Sequence, residues 1–205
     1  MTKTALLIVD MQNDLAHPDG KGFIPDAAHR APVIGMLLDA FREAHQPVIH
    51  VVRSYRLDSW DVERFRVPYF QAGRGFVVEG SWGARIIDRL APEEGEPLIV
   101  KQRFSAFAFT ELDLLLRRAG VTRIVVTGVN LPNCPRTTMF DAIGLDYDVI
   151  APTDALAAAN EDTRQANISD LAAVGVRIAT AAEVASEIRR IGEREGDTAM
   201  EREPS

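Results

Sequence analysis

Apolar residues in this chain fall into two recurring patterns. Short, mostly apolar runs, rich in Val, Ile and Leu, occur at Ala5–Val9, Pro47–Val52, Pro97–Val100, Ile124–Val126, Tyr147–Ala151 and Val176–Ala179, interrupted only by His50, Asp148 and Arg177. Runs of this length with no polar alternation predict strands buried on both faces, as in a parallel sheet. Between them apolar residues recur at helical spacing: Val33, Leu37, Leu38 and Phe41 within Pro32–Ala44, then Leu112, Leu115, Leu116 and Ala119 in a helix opened by Thr110-Glu111 and closed by Gly120. Met139, Phe140 and Ile143 mark a helix over Arg136–Gly144, Glu161–Val174 is a helix stopped by Gly175, and Ala181–Ile191 is the last. A short helix is expected at Gly83–Leu90, and Ala16–Asp26, with Pro18, Gly20, Gly22 and Pro25, reads as a loop. Strand and helix alternate throughout, which predicts right-handed crossovers and a three-layer α/β/α architecture with a parallel sheet.

Two stretches break the alternation. From Arg53 to Gly80 periodicity disappears, while Arg53, Arg56, Arg64, Arg66 and Arg74 mix with Tyr55, Trp60, Phe65, Tyr69, Phe70 and Phe76. An insertion this long inside a compact domain reads as a lid or an interface. Its arginines can clamp a substrate carboxylate or pair locally with Asp58, Asp61, Glu63 and Glu79; local pairing accounts for most of them. After Ile191 the chain turns polar, so residues 1–191 are expected to form one domain, with 192–205 as a flexible tail.

Composition narrows the function. At 205 residues, 46% hydrophobic and 26% charged, the chain can bury one substantial core. A formal net charge of -7 argues against nucleic acid or an anionic membrane as partner. No apolar run is long enough for a spanning helix, and the N-terminus lacks the pattern of a signal peptide. A cytoplasmic location is expected, with the single cysteine reduced.

Three strand ends carry chemistry. Asp10 closes the first strand, Lys101 the third, and Cys134 follows the fourth at a strand-to-helix junction, just before Pro135. The helix dipole and unpaired N–H groups there favour a thiolate. Each residue alone has a plainer reading: Asp10 as a turn residue, Lys101 as an ammonium reaching water, Cys134 as a small buried hydrophobe. Strand ends of a doubly wound sheet converge on one crevice, however, where an acid, a cation and a thiol make a working set.

These residues resemble the isochorismatase-like cysteine hydrolases, which include nicotinamidases, N-carbamoylsarcosine amidases, and ureidoacrylate and biuret amidohydrolases. The matching motifs are LLIVDMQNDL at the first strand, EGSWGARI at 79–86, VKQRFSAF at 100–107, and TGVNLPNC with TTMFDAIGLDYDV within 127–149. The resemblance covers roughly residues 4–188 and implies six parallel strands ordered 3-2-1-4-5-6. It also implies a catalytic triad of Asp10, Lys101 and Cys134, a cis peptide between Val129 and Asn130, and an oxyanion hole built from the amides of Asn130 and Cys134. Homodimers or homotetramers are common in the family, so a homo-oligomer is expected.

The chain departs from nicotinamidases after its second strand. RSYRLDSWDVERFR stands where they carry an Asp-x-His pair and a further His for metal, and His17, His29, His45 and His50 form no ligand pattern. No catalytic metal and no other cofactor is expected, since nucleotide-binding glycine motifs are absent too. Trp82 replaces a frequent proline, and Asn130-Leu131-Pro132 replaces the usual Ala-Thr-Asn. The resulting expectation is a metal-independent amidohydrolase for a small linear amide, ureide or carbamoyl compound, with Gln12, Trp82, Phe104 and Phe107 lining the pocket. The alternatives are vinyl-ether hydrolysis of an isochorismate-like acid and a catalytically silent binding module.

Overall fold

A computed structural model describes residues 3–200, with side chains described up to residue 194. Its six strands are β1 (Lys3–Val9), β2 (Val48–Arg53), β3 (Leu98–Lys101), β4 (Val121–Gly128), β5 (Asp148–Pro152) and β6 (Arg177–Ala179). All pair in parallel, in the order β3-β2-β1-β4-β5-β6. The helices are α1 (Asn13–Ala16), α2 (Pro25–Glu43), α3 (Val67–Gln71), α4 (Leu112–Arg118), α5 (Cys134–Gly144), α6 (Glu161–Ala173) and α7 (Ala181–Met200).

The central strand β1 shows why its apolar run is continuous. Ala5, Leu7 and Val9 pack into a core with Leu112, Met139 and Ile168, while Leu6 and Ile8 pack into a second core with Ile34, Leu38 and Val184. Side chains alternate across a strand, so a strand covered on both faces needs apolar residues at every position. The edge strand β3 meets this rule on one face: Ile99 is fully buried, but Leu98 and Val100 are 48% and 45% exposed.

Several elements differ from expectation. Helix α2 begins at Pro25, not Pro32, because buried Ala27 and Ala31 continue its apolar stripe upstream and Pro32 is accommodated within the helix. Gly83–Leu90 forms no helix, only single turns at Trp82–Ala84 and Asp88–Leu90. Its backbone is committed elsewhere: Asn13 donates to the Arg85 carbonyl at 2.8 Å and Ile87 to that of Met11 at 3.1 Å. The insertion at 53–80 is not structureless, since α3 and a turn at Arg64–Arg66 surround a small core of Tyr55, Val62, Phe70 and Val77. Helix α7 runs through residues 192–200, the first part of the expected tail; residues 201–205 lie outside the described residues.

Candidate active site

The C-terminal ends of β1, β2, β3 and β4 open on one cavity of about 490 Å³. Adjacent parallel strands in matched register place their last residues side by side, and β2 pairs with β3 so that Arg53 sits opposite Lys101. On the other side Val9 pairs with Gly128. A Cβ on Gly128 would stand 2.0 Å from the Val9 carbonyl oxygen, and its φ is +110°, so β4 can pass this close to β1 and turn here only because the residue is glycine. Asp10 then takes a left-handed backbone, φ 56°, which aspartate tolerates better than most side chains.

Asp10 is buried. Its Oδ2 accepts a 2.8 Å bond from Lys101 Nζ, an ammonium wholly removed from solvent. Its Oδ1 is buried with no hydrogen-bond partner. Cys134 begins α5 and is 5% exposed, facing the cavity. Thr138 Oγ1 accepts from Ala106 at 2.9 Å and donates to the Cys134 carbonyl at 2.7 Å, tying the start of this helix to the segment after β3.

Arg53 is the site residue that sequence reasoning did not single out. It is 2% exposed, and its Nη2 donates to Cys134 Sγ at 3.0 Å. Its Nε lies 3.8 Å from Asp10 Oδ2, and its Nη1 donates to Glu63 Oε1 at 2.6 Å and also meets the Tyr55 hydroxyl. The guanidinium stacks over Phe104 at 5.2 Å. Burial works against ionisation of Glu63, but the Tyr55 hydroxyl and Arg53 outweigh it and hold the carboxyl below its ordinary range. The signal was available: Arg53 ends a buried strand just as Lys101 does.

The electrostatics of the thiol differ from expectation. Burial, followed by the Asp10 carboxylate, pushes the Cys134 thiol above its ordinary value, against the opposing pull of Lys101 and Arg53. The helix start does not prevail, because the sulfur is desolvated and faces an anion. Cys134 thus presents its thiol beside the Asp10 carboxylate.

The peptide between Val129 and Asn130 is cis. Asn130 lines the cavity with Cys134, and neither N–H donates to a backbone oxygen among the described residues. Phe104 also lines the cavity. The other three expected pocket residues do not. Gln12 is fully buried and its amide is spent: it accepts from the Arg53 N–H at 2.8 Å and donates to the carbonyls of Arg53 at 2.8 Å and Ala84 at 2.7 Å. Gln12 therefore positions the end of β2. Phe107 stacks on Tyr147, with centroids 6.0 Å apart, and packs against the core. Trp82 is 45% exposed and meets His17 edge-on, away from the cavity wall.

The residues after β2 do not fit a resident metal. Asp58 is exposed and ion-paired with Arg56, which holds its carboxyl down at about 2, and Asp61 accepts from the Arg56 N–H at 2.9 Å. Among the described residues no group of three or more His, Cys, Asp or Glu side chains could hold an ion, and no helix is long and apolar enough to cross a membrane.

The arrangement matches known proteins. A solved isochorismatase family protein from Desulfovibrio vulgaris superposes with a TM-score of 0.88 at 41% identity, covering 92% of this chain and 99% of that one. A protein of Arabidopsis thaliana described as a probable inactive nicotinamidase is 39% identical over 188 residues, 90% of this chain and 96% of its own length. A ureidoacrylate amidohydrolase of Stutzerimonas stutzeri is 29% identical over 177 residues, 75% of this chain and 69% of its own. The model of the isochorismatase domain matches residues 4–183, and the chain belongs to the isochorismatase-like cysteine hydrolase family.

Proposed function

We propose that this protein is a cysteine amidohydrolase that cleaves a small linear amide, ureide or carbamoyl compound through a thioester on Cys134. The observation that carries the reading is the buried Asp10 carboxylate beside the Cys134 thiol: Lys101 holds one oxygen, and among the described residues the other has no donor at hand but the thiol itself. A buried carboxylate oxygen without a partner is costly, and a proton acceptor kept free for the reaction explains it. The ureidoacrylate amidohydrolase among its relatives agrees with this chemistry. The Arabidopsis relative's description as a probable inactive nicotinamidase directs attention to amides other than nicotinamide.

In this mechanism Asp10 Oδ1 takes the Cys134 proton as the sulfur adds to the carbonyl carbon. Arg53 Nη2, already 3.0 Å from the sulfur, stabilises the charge that develops there. The oxyanion of the tetrahedral adduct is received by the N–H groups of Asn130 and Cys134. Asp10 returns the proton to the departing nitrogen, and ammonia or an amine leaves. Water, deprotonated by Asp10, then attacks the thioester; the tetrahedral adduct collapses to a carboxylic or carbamic acid, and the sulfur takes its proton back.

Ammonia release from a panel of ureides, carbamoyl acids and simple amides tests the reading. Cys134→Ala is expected to reduce turnover by about a thousandfold or more while the circular dichroism spectrum is unchanged, and a chelator should have no effect on the wild type. Turnover surviving in Cys134→Ala, or lost with the chelator, would overturn it.

A further inference from the structure

The cavity wall is unbalanced in charge. Lys21, Arg53, Arg66 and Arg74 line it against a single carboxylate, Asp10. Counting the charged groups bonded to the wall adds Lys101 on Asp10, Glu63 on Arg53 and Asp14 on the Lys21 N–H, which makes five cations to three carboxylates. Glu63 is moreover shared, because its Oε2 also accepts from Arg66 Nε at 3.0 Å.

Arg66 and Arg74 are presented rather than consumed. The Arg66 guanidinium is held in plane by Phe65 at 4.7 Å, Phe76 at 5.1 Å and Phe104 at 5.7 Å, and no acceptor among the described residues meets its Nη groups. Arg74 lies over the Tyr69 ring at 4.8 Å and makes no ion pair among the described residues. Lys21 donates to the Gly75 carbonyl at 2.9 Å, so the loop before α2 brings its own charge to the same mouth. A guanidinium fork stacked on aromatic rings is preorganised for a planar oxyanion, and aromatic walls lower the local dielectric and strengthen that attraction. An enzyme for neutral amides would gain nothing from this surplus.

We infer that Arg66 and Arg74 form an anion subsite and that the substrate amide carries a carboxylate, seated there while its carbonyl carbon meets Cys134. The substrate class is then an acidic half-amide or carbamoyl acid, with the aromatic wall covering the short chain between its two ends. This inference rests on the amidohydrolase reading. Arg53 is excluded from the subsite because Glu63, Tyr55 and Cys134 already occupy its donors.

The test compares kcat/KM for ammonia release from succinamate and from butanamide, which has a methyl group in place of the carboxylate. The wild type is expected to favour succinamate by at least about tenfold. Arg66→Gln and Arg74→Gln should each raise the KM for succinamate about tenfold, with a much smaller change in kcat, and shrink the preference accordingly. A wild type that hydrolyses butanamide as well as succinamate sinks the subsite and leaves the amidohydrolase standing. If neither amide releases ammonia, the amidohydrolase reading fails for these probes, and calorimetric titration with succinate decides the subsite by itself. Binding that weakens about tenfold in Arg74→Gln upholds it, and no binding to the wild type overturns it.

Discussion

The Cys134 thiol titrates among charged neighbours that pull in opposite directions. Burial and Asp10 raise the thiol, whereas Lys101 and Arg53 lower it. The signs separate their roles. The rate of Cys134 alkylation by iodoacetamide should rise with pH through a midpoint above that of free cysteine. Arg53→Gln removes a cation that favours the thiolate, so its midpoint moves higher still. Asp10→Asn removes an anion that opposes the thiolate, so its midpoint moves lower, yet under the proposed mechanism ammonia release is expected to be lost with the proton acceptor. A wild-type midpoint below that of free cysteine would show that the helix start outweighs burial after all. Gln12 teaches a related lesson at this scale: a polar residue next to the strand that bears the acid serves the backbone of Arg53, not a ligand.

At the scale of elements, a buried carboxylate ties the insertion at 53–80 to the body of the domain, alongside the bonds from Lys21 Nζ to the Gly75 carbonyl and from Arg103 Nη1 to the Asp61 carbonyl. Asp14 accepts from the N–H of Val77 at 2.6 Å and of Lys21 at 3.1 Å, and it packs where a Cβ on Gly83 would stand, 2.1 Å from Asp14 Oδ2. Removing this acceptor leaves the buried Val77 N–H unpaired, at about 1–3 kcal/mol. Asp14→Ala should therefore loosen this segment selectively. Limited proteolysis is expected to cut within 53–80 at lower protease concentration than in the wild type, while the amides of β1 and β4 keep their protection from hydrogen exchange. Uniform loss of protection would mean that the insertion is no separate unit. Its small core of Tyr55, Val62, Phe70 and Val77 gives it internal order, which the aperiodic sequence does not reveal because those residues are not spaced for one helix or one strand.

At the scale of the whole molecule, the parallel sheet gathers at one edge what the chain scatters over more than a hundred residues. The same molecule leaves apolar surface uncovered: Leu57, Trp60, Phe65 and Phe109 are exposed, and so are Leu98 and Val100 on edge strand β3. Surfaces of that kind suit self-association, and light scattering is expected to give the mass of a dimer or tetramer; a monomer at all concentrations would refute this. The strands, their alternation with helices and the placing of Asp10, Lys101 and Cys134 at strand ends were legible in the sequence, because periodicity and chain punctuation are local properties and the direction of a parallel strand follows from them. Tertiary structure alone decided which side chains meet there. The register of β2 against β3 sets Arg53 beside Lys101, the folding back of the insertion brings Arg66 and Arg74 to the cavity, and burial against Asp10 shifts the thiol upward where the helix start alone would shift it down. Contacts between residues distant in sequence, and the solvent they exclude, have no local pattern from which they could be read.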